Sequence, residues 1–190
     1  MSQALTGGCS GTRLFFFSSK IAKTTKVTKV VFVAAFVGVL AATGCSSKPP
    51  LANTSGSPEA LARAVLDAFE ARDRTRLQDL ALSEEEFANH VWPSLPAARP
   101  ERNLPLSYVW GDLRQKSNLA LTNTLTAHGG KRYELLDVSF DDVTPYAGYR
   151  VHRQSTFRVR DTSGAEAEIR VCGSMMEKDG RWKVFSYVVD

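Results

Sequence analysis

From Ser57 onward the apolar positions follow first a helical period and then a strand period. Leu61, Val65, Leu66 and Phe69 recur at helical spacing, which places them on one apolar stripe. Ser57 suits an N-cap, Pro58 the first helical position and Glu59 the positive end of the helix. Asp73 begins a second short helix with Leu77, Leu80 and Ala81 inward. Ser83-Glu84-Glu85-Glu86 has the spacing of a capping box ahead of Phe87 and Val91. Pro93, Pro96 and Pro100 break the chain into a loop. A longer helix is predicted from about Leu106 to Ala127, its stripe running through Val109, Trp110, Leu113, Ser117, Ala120, Leu121 and Leu125 to a stop at Gly129-Gly130.

The period then changes to two. Leu136, Val138 and Phe140 alternate with Asp137 and Ser139. Tyr149, Val151, Arg153, Ser155, Phe157 and Val159 share one face of a second strand, with His152 on the other, solvated face. Ala167, Ile169, Val171, Gly173 and Met175 share a face of a third, and Trp182, Val184, Ser186 and Val188 of a fourth. Turns are predicted at Asp161-Thr162-Ser163-Gly164 and Glu177-Lys178-Asp179-Gly180. Asp141-Asp142, before Pro145, reads as a turn. Helices followed by four antiparallel strands make an α+β pattern: N-terminal helices packed on a curved four-stranded antiparallel sheet.

Charge divides the chain. Of its 24 Lys and Arg residues five precede Cys45, and none of the 20 Asp and Glu residues does, so the +4 formal charge belongs to the N-terminal segment and the remainder carries −1. Lys20 to Lys29 is followed by an uncharged apolar run, Val30 to Ala42. That run is too short for a spanning helix, which needs about 20 apolar residues, and suits a signal h-region. It ends Thr43-Gly44-Cys45. This end resembles the lipobox of bacterial lipoprotein signal peptides, with Ala42 where that motif has Leu. The resemblance implies cleavage before Cys45, a diacylglyceryl thioether on its sulfur and, with Ser46 following, sorting to the outer membrane, facing the periplasm. Ala42-Thr43-Gly44 also fits ordinary signal peptidase cleavage, and an uncleaved anchor is a third reading. The long stretch before Lys29 suggests a translation start at Leu14 or Val27. Residues 1–44 thus read as a signal peptide, 45–57 as a lipidated cysteine with a flexible Ser/Pro/Gly-rich tether, and 58–190 as a single domain, long enough to close a core without staples.

Asp179-Gly180-Arg181-Trp182-Lys183-Val184, with the helix pair around Phe69-Glu70-Ala71-Arg72-Asp73, resembles the NTF2-like superfamily (cystatin-like cone). The resemblance implies a cone with a pocket between sheet and helices, catalytic in some members and a binding or assembly module in many others.

Candidate pocket residues are few. Arg153 and Ser155 interrupt an apolar face, and an inward arginine could clamp an anion, or pair with an acid such as Asp137. Tyr133, Asp137 and His90 complete the candidates. His128, at a helix C-terminus, suits a capping cation. Cys172, flanked by strand residues, reads as a buried thiol. The sequence contains no glycine-rich phosphate loop, G-x-S-x-G, H-E-x-x-H or C-x-x-C, so no metal or cofactor is expected. The mixed-sign remainder gives no electrostatic basis for nucleic-acid binding. The leading reading is a lipid-anchored envelope protein whose non-catalytic domain binds a small apolar ligand or an envelope protein partner. The alternatives are a small enzyme of isomerase, dehydratase or hydrolase type, and a dimerising structural subunit.

Overall fold

The computed structural model describes residues 48–189. The predicted signal, its start and Cys45 lie outside the described residues. Helix α1 (Pro58–Glu70) is capped by Ser57, whose hydroxyl accepts from the Ala60 amide. Its stripe of Leu61, Val65, Leu66 and Phe69 is buried. Helix α2 (Arg74–Leu80) is capped by Asp73, and α3 (Glu84–Glu86) opens on the predicted capping box with both reciprocal bonds formed. A π-helical turn, Phe87–Val91, continues α3, and three 3₁₀ turns carry the proline-rich stretch from Trp92 to Arg102. Helix α4 (Leu106–His128) follows, with Trp110 and Leu121 its buried residues. No helix among the described residues is long and apolar enough to cross a membrane.

The α+β class holds, but the single curved four-stranded sheet is corrected. Among the described residues seven strands form two antiparallel sheets. The three-stranded sheet has the order β1 (Tyr133–Ser139), β4 (Thr156–Asp161), β5 (Glu166–Ile169). The four-stranded sheet has the order β2 (Asp142–Tyr146), β3 (Tyr149–Arg153), β6 (Ser174–Lys178), β7 (Arg181–Ser186). The helices therefore meet two sheets, and the reason lies in two breaks. Gln154 takes a left-handed φ of 54°, which ends β3 and sends β4 into the other sheet. Arg170 to Gly173 divides the third predicted strand into β5 and β6. Main-chain bonds across the breaks, Asp141 N to Arg153 O, Ser155 N to Gly173 O and Gly173 N to Ser186 O, join the sheets at these bends.

Strand β2, which begins within the Asp141-Asp142 pair read from the sequence as a turn, pairs with β3 along its whole length. It is an edge strand, where Pro145 need not donate to a second neighbour. At the opposite edge, Ser55 and Trp182 exchange main-chain bonds of 2.9 Å in both directions, covering the free side of β7. Residues 49–55 are thus bonded along the domain where the sequence predicts a flexible tether.

The core has two parts. One gathers α1, α2, Leu121 of α4 and residues of both sheets; the other gathers Leu82, Phe87, Val91 and Trp110 with Tyr149, Val151 and Met176. Met175 and Met176 are consecutive, so they point to opposite faces of β6, and each is fully buried in a different part. Both faces of the four-stranded sheet are therefore covered at its centre.

Candidate functional site

The space between α4 and the sheets is where a cone-shaped fold would hold a ligand. Trp110, Leu113, Ser117, Leu121, Phe185 and Tyr187 fill it, leaving a cavity of about 20 Å³. A water needs about 10–15 Å³ of such space, and ligand pockets run to about 300–1,000 Å³, so one water fits and a metabolite does not. Tyr187 plugs the space: its hydroxyl donates to Leu77 O at 2.6 Å and its amide donates to Ser117 Oγ at 3.1 Å. Burial pushes this phenol well above its ordinary value.

The five sequence candidates fall in separate places. Arg153, at the end of β3, is exposed because the break at Gln154 interrupts the inward line. Ser155 is fully buried at that break and donates to Cys172 O. Its partner Cys172 is buried too, and desolvation pushes the thiol up to about 12, so it is inert at neutral pH. Asp137 is exposed in β1 beside the backbone of Arg158. Tyr133 meets His128 Nδ1 at 3.1 Å. Burial, followed by Lys131, lowers the His128 value, so the neutral ring serves as a bridge from α4 to β1 rather than as a capping cation. His90 Nε2 contacts Pro49 O at 2.8 Å. Among the described residues no hydrogen bond or ion pair joins any two of the five, and no group of three or more His, Cys, Asp or Glu could hold a metal.

Two constellations were not anticipated from the sequence. The first is a buried ion pair. Lys183 of β7 is 2% exposed, and its ammonium lies 2.7 Å from both oxygens of Glu86, the capping-box residue of α3. Lys183 also donates to Ala52 O at 2.8 Å, while the Ala52 amide donates to Glu86 Oε1 and the Ser83 amide to Glu86 Oε2, both at 2.8 Å. Burial alone would raise the Glu86 carboxyl; the Lys183 bond and the two amides outweigh it and hold it below the ordinary range. One cluster thereby fastens three separate pieces of chain: the strap 49–55, α3 and β7. The signal for it was a lysine alternating onto the same strand face as the apolar Phe185 and Tyr187.

The second lies on the other face of the same sheet. His152, read as solvated, has a side chain 12% exposed and contacts Glu177 Oε2 at 3.0 Å. Phe140 and Trp182 cover it, with ring centroids 4.9 and 4.5 Å from the imidazole. Arg150 also reaches Glu177, at 2.8 Å.

The strap builds an open cleft as it crosses the domain. Lys48 to Leu51 form one wall; His90, Lys178, Asp179 and Arg181 form the others, enclosing about 460 Å³. The β6–β7 turn presents the last three because Asp179 and Gly180 both take positive φ, 52° and 71°, as a tight two-residue hairpin turn requires.

Comparison with known proteins finds no matching family model, no similar curated protein and no similar solved structure.

Proposed function

We propose that this chain is a bacterial envelope lipoprotein, held by acyl chains on Cys45 at the outer membrane facing the periplasm. Its domain, read as an NTF2-like cone, serves as a non-catalytic partner-binding module. The observation that carries the binding-module reading is the closed interior: the space between α4 and the sheets leaves about 20 Å³, so recognition falls to the outer surface. The enzyme alternative has less support, because Tyr133, Asp137, His90 and Arg153 share no cavity or bond among the described residues. The anchor rests on the apolar run and the Thr43-Gly44-Cys45 ending, since two or more acyl chains give stable anchoring.

The test is the intact mass of the mature protein from bacterial membranes. A mass starting at Cys45 and carrying acyl chains supports the reading; an unmodified Cys45 overturns it. A dimerising subunit is the second reading. Tyr108 and Leu119 favour it, being 66% and 65% exposed on one face of α4, three helical turns apart. Sedimentation of the detergent-solubilised protein checks it, and a monomer at high concentration counts against it.

A further inference from the structure

Resting on the reading of Cys45 as the acylated anchor, we propose that the cleft between the strap and the β6–β7 turn seats the phosphate of an anionic lipid headgroup. That lipid belongs to the bilayer that holds the anchor. Only Ser46 and Ser47 separate Cys45 from Lys48, and three residue steps reach at most about 11 Å. The strap is then fastened through Ala52, Thr54 and Ser55, so the cleft stays at the end of the domain from which the anchor departs.

Its chemistry suits that neighbour. Lys48, Lys178 and Arg181 converge there against one acid, Asp179, in a mature chain whose net charge is −1. Asp179 is exposed and pairs with Lys178 at 3.2 Å, an exchange that surface ion pairs make cheaply. Arg181 is exposed and commits Nε to Thr54 Oγ1 at 3.0 Å; its two terminal nitrogens are the donor pair with which an arginine can grip a phosphate bidentately. At about 460 Å³ the cleft accommodates a phosphoglycerol group.

The experiment uses the full lipidated protein, with the mass of its mature N-terminus measured first. It is reconstituted into bilayers of phosphatidylcholine alone or with phosphatidylglycerol, and amide hydrogen exchange is followed at Lys48 and Leu51 of the strap, since Pro49 and Pro50 carry no amide hydrogen, and at 176–183. Phosphatidylglycerol is expected to slow exchange in both segments. Lys178→Gln is expected to lower that protection roughly fivefold, and Lys178→Gln with Arg181→Gln roughly thirtyfold, since each basic residue near an anionic surface contributes about that factor. The single variant leaves the Arg181–Thr54 bond in place, and unchanged melting confirms its fold. Equal protection in both bilayers, or full protection in the double variant, overturns the headgroup site while leaving the anchor intact. The same protection from millimolar glycerol phosphate in detergent overturns it in favour of a soluble phosphate ligand. An unmodified Cys45 removes the anchor and this inference together.

Discussion

At the scale of single residues, a buried charged pair is the contact most sensitive to loss of one partner. Glu86 and Lys183 are both buried, and such a pair is costly to break because the survivor is left charged without a partner. Glu86→Gln is therefore expected to destabilise the domain by about 3–5 kcal/mol, read from urea unfolding at neutral pH. Lys183→Met should cost less, because Glu86 keeps its two amide donors and can take up a proton. The pair also sets a pH dependence. The Glu86 carboxyl is held below its ordinary range in the folded chain, so its charged form stabilises the fold. That contribution is complete above the unfolded-state value of about 4.3 and is lost as pH falls from there through the lower folded value. Unfolding followed between pH 6 and 3 should show this loss in the wild type and lack that component in Glu86→Gln. Gly173 is a second sensitive point. A methyl at its Cβ position would lie 1.5 Å from Val188 O, which is main chain and cannot rotate away. Gly173→Ala is expected to cost about 3 kcal/mol or more, as severe overpacking does, measured as a lowered urea midpoint.

At the scale of elements, periodicity was readable where one face is buried and the other wet. The α1 stripe, the Ser83–Glu86 capping box and the start of α4 at Leu106 all follow from local pattern, because caps and stripes are decided within a few residues. The two sheets were not readable for the opposite reason. A continuous alternation from Tyr149 to Val159 gives no sign that Gln154 will turn left-handed, since that conformation answers to pairing with distant strands. Edge strand β2 was hidden by Asp141-Asp142 at its start and by Pro145, which mimic a turn. The candidate site fared similarly: Arg153 stood out in the pattern, yet the break beside it exposes the side chain. The strap was missed because its Ser, Pro and Gly composition says how it behaves alone, whereas its order comes from Glu86, Lys183 and β7. Ala52→Pro tests this. It removes the amide that donates to Glu86 Oε1, and the Ser55 and Trp182 amides should then exchange at least tenfold faster, given about 1.5–3 kcal/mol for a hydrogen bond to a charged group. The α1 amides should change little, which separates release of the strap from unfolding of the domain.

At the scale of the whole molecule, the strap would change how the domain meets a membrane under the proposed anchor at Cys45. Were residues 46–57 a free coil, the domain would explore a volume set by a twelve-residue tether, with a root-mean-square reach of roughly 20 Å. With the strap bonded from Pro49 onward, a coil of three residue steps, the sequence separation of Cys45 and Lys48, would reach roughly 10 Å. Effective concentration falls with about the 3/2 power of tether length, so under the proposed anchor the fastening would raise the local concentration of headgroups at the cleft roughly eightfold. Composition alone points the other way, because the positive charge of the chain resides in the segment before Cys45 and the remainder is slightly acidic. What the chain would offer the proposed bilayer is a local arrangement, Lys48, Lys178 and Arg181 around one cleft. A ten-residue Gly-Ser insertion between Ser47 and Lys48 separates reach from chemistry. It lies ahead of every strap bond, so melting should be unchanged. The separation of Cys45 from Lys48 grows from three residue steps to thirteen, and phosphatidylglycerol-dependent protection at 176–183 should fall roughly ninefold. Protection that survives the insertion undiminished would mean that the cleft finds its headgroups without help from the short tether.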